Sequence, residues 1–202
     1  DEYSSSVGHI AGTLYSSIIS NSTVVGSVQE NIIQPREAET ERWLYVGGIA
    51  GYARNSILEN NEFAGLIRGT AYIPTDVGGM LGGVAVSAKS VNTIDHCTVS
   101  GDIDITLDSR CTITDSLAQS LNVNIGGVCG YCRGLFSNNA VYGHISGVGT
   151  VGGIVGMLYA DSEVDNNYFA GTLTSHGGKA SGIVASMLYE VSSYTKSFTT
   201  RI

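Results

Sequence analysis

The chain has 202 residues and a net charge of -8; 14% of its residues are charged, 43% are hydrophobic, 27 are glycine and two are proline. That length suffices for one domain with a continuous core, and low charge beside high apolar content argues against disorder. The acidic balance argues against a nucleic-acid partner, and no apolar run reaches the roughly 20 residues that span a bilayer, so neither nucleic acid nor a transmembrane segment is expected.

Taken in order, the chain repeats one unit six times. The first copy starts as VGHIAG at Val7, continues through Ile19 to Asn21-Ser22, and finishes on Val24, Gly26 and Val28. An insertion, Gln29 to Tyr45, follows; it carries Pro35, a dense charge cluster with a candidate short helix over Glu37 to Glu41, and the only tryptophan, Trp43. The second copy runs from VGGIAG at Val46 through Leu58 and Asn60-Asn61 to Phe63, Gly65 and Ile67. The insertion Gly69 to Asp76, with Tyr72 and Pro74, leads to the third: VGGMLG at Val77, Ile94, His96-Cys97, then Val99, Gly101 and Ile103. A polar insertion, Thr106 to Asn124, contains Cys111. The fourth copy is IGGVCG at Ile125, Phe136, Asn138-Asn139, Val141, Gly143 and Ile145. The fifth is VGGIVG at Val151, Val164, Asn166-Asn167, Phe169, Gly171 and Leu173. The sixth, ASGIVA at Ala180, is degraded, with Ser193, Phe198, Thr200 and Ile202 in the equivalent places.

Each finish reads apolar-x-small-x-apolar, the period of two of a strand with one buried face. The intervening columns, such as Tyr168, Ala170 and Thr172, mix polar and aromatic types and are expected to face water. The Asn pairs mark corners, because Asn tolerates the left-handed backbone region and its amide can bond to equivalents stacked above and below. A row of sugar or metal ligands is the functional reading of the same residues. Glycine doublets at one place in each unit indicate a bend or a close backbone approach. Units of roughly 22 to 26 residues cannot bury a face alone and must stack. With no helical periodicity, the residues predict an all-β β-solenoid of about six coils, a single domain over 1–202, on the order of 30 Å long at the strand spacing.

No catalytic or cofactor site is expected. Cys129 and Cys132 form one CxxC, half of what a structural zinc site needs, and the pairing of Cys97, Cys111, Cys129 and Cys132 stays open among buried thiols and disulfides. Gly177-Gly178-Lys179 fails as a phosphate loop, because Ala180 follows and Leu173 occupies the place of the first glycine. Asp102 and Asp104 fall on one side of an extended segment, with Asp108 beyond; calcium is the one cofactor this leaves open, although no Gly-Asp calcium repeat recurs. Arg110 and Arg133 are the nearest bases for a lyase-like reaction, and their spacing gives that reaction no support. The candidate ligand-contact loop is made of Trp43, Tyr45 and Tyr72, aromatics suited to stack a sugar or anchor a protein; local packing of Trp43 over an edge is the alternative.

The VGGIVG start at Val151 and the NNYFAG finish at Asn166 resemble the GLUG-motif repeats of bacterial surface proteins. Such repeats occur in cell-surface adhesins and in the non-catalytic part of certain secreted immunoglobulin-cleaving metallopeptidases. The resemblance covers nearly the whole chain apart from the insertions. It implies a right-handed parallel β-helix and a secreted or cell-surface location, and it brings no catalytic residue. The HExxH zinc motif of those peptidases is absent around His9, His96, His144 and His176. The sixth copy departs from the repeat at Ser181, Ala185 and Thr200.

The leading expectation is a non-catalytic extracellular adhesin or stalk that presents loops to a host or matrix protein or glycan. A polysaccharide-acting β-helix lyase or hydrolase is the first alternative, and a filament subunit joined end to end is the second. Asp1-Glu2-Tyr3 opens on polar residues with no signal peptide, and repeats reach both termini without room for a cap. A mature or trimmed part of a longer chain or assembly is therefore expected.

Overall fold

A computed structural model describes residues 4–31, 43–71, 75–84, 90–107 and 122–188. Among them the fold is all-β, with no helix. Twenty-five strands form sheets of nine, six, five and five strands, and every pairing within them is parallel.

The three smaller sheets each collect the equivalent strand from successive repeats, and the nine-stranded sheet joins the repeat starts to the repeat finishes through His144–Gly152, so the sequence alignment is also the register of hydrogen bonding. The repeat starts pair as Val7 with Val46, Val46 with Val77, Val77 with Ile125, Ile125 with Val151 and Val151 with Ala180. The column before the corner pairs as Ile19, Leu58, Ile94, Phe136 and Val164. After the corner, Val24, Phe63, Val99, Val141 and Phe169 are in register, and so are Val28, Ile67, Ile103, Ile145 and Leu173. These columns make one core: Leu58, Phe63, Ile94, Val99, Ile103, Ile125, Phe136 and Ile145 are fully buried, while Val24, Phe169 and Leu173 pack against it from the outer rungs. The places of Ser193, Phe198, Thr200 and Ile202 lie outside the described residues.

The finish of each unit differs from a single strand. Tyr168–Phe169 and Thr172–Ser181 are separate strands in different sheets, with a bend at Gly171. The reason is steric. A Cβ on Gly171 would overlap the carbonyl oxygen of Gly143, and one on Gly143 would overlap that of Gly101. The glycine column is thus a corner where successive backbones stack too closely for any side chain. The glycine doublets are a second such corner: a Cβ on Gly48 would strike both the carbonyl oxygen of Gly79 and the ring of Phe63.

Trp43–Gly47 and Ser27–Asn31 are both strands, so the first insertion is shorter than Gln29 to Tyr45; the proposed helix at Glu37 to Glu41 lies outside the described residues. Thr75–Gly78 and Val123–Gly126 likewise absorb the ends of the second and third insertions. Between the fourth and fifth repeats no insertion intervenes, and one nine-residue strand, His144–Gly152, carries Ile145 of one repeat and Val151 of the next. It pairs with Thr172–Ser181 through a register shift between Gly147 and Gly149. Gly149, Gly177 and Gly178 supply the positive φ values there, 84°, 95° and 105°, which gives the Gly-Gly-Lys segment a structural role.

Candidate functional site

The corners come first, because they could have been a row of ligands. Asn21, Asn60, His96, Asn138 and Asn166 all adopt left-handed backbone, with φ between 52° and 55°. The residue after each turns inward. Asn61 Nδ2 donates to the Ile19 carbonyl at 2.8 Å, and its Oδ1 accepts from the Ser22 N–H at 3.0 Å. Asn139 Nδ2 donates to the Ile94 carbonyl, and its Oδ1 accepts from the Cys97 N–H, both at 2.9 Å. These amides are spent on the backbone of the preceding repeat. They are structural pins, with no free face for a ligand. A second corner, not anticipated from the sequence, lies five residues earlier: Ser16, Asn55 and Asp161 are left-handed at 48°, 52° and 60°. There the Ser56 and Ser162 hydroxyls accept from the Ser17 and Gly134 N–H groups at 3.3 and 3.2 Å.

The acidic and sulfur candidates are also occupied. Asp102 Oδ1 accepts from the His144 N–H at 2.7 Å, and Asp104 pairs with Arg68 at 3.5 Å; Asp108, Arg110 and Cys111 lie outside the described residues. Arg133 is buried, 3.3 Å from Asp161 and 5.4 Å above the Tyr159 ring. Cys129 and Cys132 are joined as a disulfide. Cys97 is a buried free thiol whose pKa burial raises to about 11. Among the described residues no three His, Cys, Asp or Glu side chains group as a metal site.

The aromatic candidates do come together. Trp43 and Tyr45 lie two apart on the strand Trp43–Gly47, so both project from its outer side while Leu44 and Val46 are buried on the inner one. Their rings stack, with centroids 6.5 Å apart and planes at 14°. Tyr45 then meets Tyr52 of the neighbouring sheet at 5.0 Å, and Tyr52 meets Tyr15 at 6.5 Å. The outcome is a continuous strip, Trp43–Tyr45–Tyr52–Tyr15, half-buried along most of its length and open at Tyr15, which is 63% exposed. Tyr72 lies outside the described residues. Tyr15 and Tyr52 escape sequence reasoning because they fall in different columns of mixed residues, Tyr52 in register with Thr13 and Tyr15 with Arg54. Another exposed pair, Tyr142 and Tyr168, stands edge to face at 6.0 Å on the outward columns.

Beneath the strip lies a carboxyl group. Asp76 is in register with Tyr45 on one side and Asn124 on the other and is completely buried. Asn124 Nδ2 donates to its Oδ1 at 2.8 Å, while Oδ2 has no partner. Burial pushes its pKa well above the ordinary carboxylate value, and the Asn124 hydrogen bond offsets only part of that. Burial likewise raises the pKa of Tyr45, with the field of Asp76 adding to it.

No protein-family model matches the chain, and neither a curated protein nor a solved structure matches it.

Proposed function

We propose that the chain is a right-handed parallel β-solenoid of the GLUG-repeat type, acting as a non-catalytic extracellular or cell-surface module that binds a glycan along the strip Trp43–Tyr45–Tyr52–Tyr15. The observation that carries this reading is the strip itself: four rings in unbroken contact at 6.5, 5.0 and 6.5 Å, held on strands. Aromatic faces carry negative potential and attract the apolar, positively polarised C–H faces of a pyranose. Mounting them on sheets lowers the ordering cost of binding. The parallel registers of successive repeats support the solenoid, and the Cys129–Cys132 disulfide supports an oxidising, extracellular setting. No helix among the described residues is long and apolar enough to cross a membrane.

A broad glycan array followed by calorimetry tests the reading. A polysaccharide or oligosaccharide ligand should emerge, and Trp43→Ala or Tyr52→Ala should weaken it about tenfold or more, the equivalent of one stacking contact. No hit on the array would overturn glycan binding. Release of reducing or unsaturated ends from a bound polysaccharide would replace it with an enzymatic reading.

A further inference from the structure

The unpaired oxygen of Asp76 sits at a place built to receive something. Gly83 is in register with Tyr52 on one side and Tyr131 on the other. Having no side chain, it leaves a gap between those two tyrosines. The Tyr45 ring fills that gap: a Cβ on Gly83 would overlap the ring and come within 3.2 Å of Asp76 Oδ2. The place is therefore floored by a carboxyl oxygen, flanked by Tyr52 and Tyr131, and occupied by the Tyr45 ring. A buried polar atom without a partner is uncommon in folded proteins; Asp76 Oδ2 is one of three such side-chain atoms among the described residues, with Ser90 Oγ and Asn92 Nδ2, and the only one of them on a carboxyl group.

We propose that the space over Gly83, closed in this structure by the Tyr45 ring, is an ammonium subsite in which Asp76 is the counter-ion and Tyr52 and Tyr131 are the flanking π-faces. This rests on the glycan reading above and names the ligand class, a glycan bearing a free amino sugar. A carboxylate under aromatic faces is the chemistry that recognises an alkylammonium: the ion pair supplies direction, and the rings supply cation–π attraction in a dry setting. Among the described residues, no cation is paired with Asp76. Tyr45 adjoins Asp76 on its own sheet; from the neighbouring sheet Tyr52 and Tyr131 act on Tyr45, and Arg54 acts on Tyr52. On its own column follow Asn124, Thr150 and Lys179. Lys179 is three rungs from Asp76, about 14 Å at the usual strand spacing, and donates to Ser186 Oγ at 3.1 Å. Entry requires only that the Tyr45 ring swing outward along the strip.

Burial favours the protonated form of the carboxyl while the gap is closed, and pairing with an ammonium favours the ionised form. Binding therefore passes one proton from Asp76 to the buffer, a readout that a purely structural carboxyl would not give. The test titrates the full chain at pH 6 with a glucosamine oligomer, its N-acetylated counterpart and methylammonium chloride, by calorimetry in two buffers of different ionisation heat. The glucosamine oligomer should bind about tenfold more tightly than the N-acetylated one and should release a proton. Asp76→Asn should remove both the preference and the proton. Gly83→Ala, whose new methyl displaces a movable ring, should remove the preference through occupancy alone. Equal affinities for the two oligomers, or a preference that survives Asp76→Asn in a variant with wild-type circular dichroism, would overturn the subsite. Methylammonium binding that depends on Asp76, with neither oligomer bound, would uphold the subsite and overturn the glycan reading.

Discussion

Asn139 and Asn167 are locked to one another at the corner of successive repeats: the Asn139 main-chain N–H and its side-chain Nδ2 both donate to Asn167 Oδ1, at 3.0 and 2.9 Å. Asn139 in turn holds the Cys97 N–H and the Ile94 carbonyl. Asn139→Ala would strand those two buried groups, each costing about 1–3 kcal/mol, so a loss of roughly 2–6 kcal/mol is expected. The neighbouring Asn138 has a different job, its left-handed φ of 55°. Asn138→Gly keeps that geometry, since glycine adopts the region freely, and loses only part-exposed hydrogen bonds with Asp95 and Asn166, so it should cost about 1 kcal/mol. Urea denaturation of the two variants checks the pair, and equal losses would show that the ladder is not what holds the corner.

Cys97 interrupts this ladder. Its Sγ lies 3.6 Å from the Leu58 carbonyl, the place that an amide nitrogen takes at Asn61 and Asn139. Cys97→Asn should replace a weak sulfur contact with a full hydrogen bond and raise stability by about 1 kcal/mol, seen as a higher melting temperature. With the thiol buried and its pKa raised to about 11, native Cys97 should also react with a thiol reagent far more slowly than the same residue in denaturant. Rapid labelling of the folded chain would contradict its placement.

The columns were legible in the sequence because each does one job in every repeat. Val46, Leu58, Phe63 and Ile67 meet only like residues above and below, so apolar identity recurs at fixed offsets, and Asn60 recurs because few other residues accept its backbone geometry. The strip and Asp76 were less legible. Asp76 occupies a column with Ser6, Tyr45, Asn124, Thr150 and Lys179, whose composition reads as solvent-facing. It is buried only because the neighbouring sheet turns Tyr52 towards Tyr45, a relation between columns that no single repeat displays. The two-strand finish was hidden for a related reason: a bend at Gly171 preserves the alternation of Phe169 and Leu173, so a corner and a straight strand leave the same pattern.

The register makes a sharp prediction at adjacent residues. Phe63 is fully buried, and its ring packs against Gly48 of the doublet corner. Phe63→Ala should cost about 3–5 kcal/mol, counting the cavity it leaves. Glu62, on the outward column, should tolerate Ala within about 0.5 kcal/mol. Thermal melts of the two variants measure the contrast, and comparable destabilisation would mean that the register is shifted by one.

Asp76 links stability to pH with a definite sign. Its folded pKa lies above the unfolded value because burial disfavours the charged form. The folded chain therefore holds this proton more tightly than the unfolded chain. The resulting stability is fully present below the ordinary Asp pKa and is lost as pH rises through the folded pKa, at about 1.4 kcal/mol for each unit of elevation. Asp95 works in the opposite direction: burial disfavours its charge, but hydrogen bonds from Ser137, Asn138 and His96 prevail and lower its pKa, so its contribution fades on acidification. Asp76→Asn removes the first effect while leaving the second. The variant should be more stable than the parent at neutral pH, its advantage should shrink towards pH 4, and its decline on further acidification should match that of the parent. Denaturation midpoints between pH 3 and 8 would show this, and an advantage independent of pH would mean that Asp76 does not carry the elevated pKa.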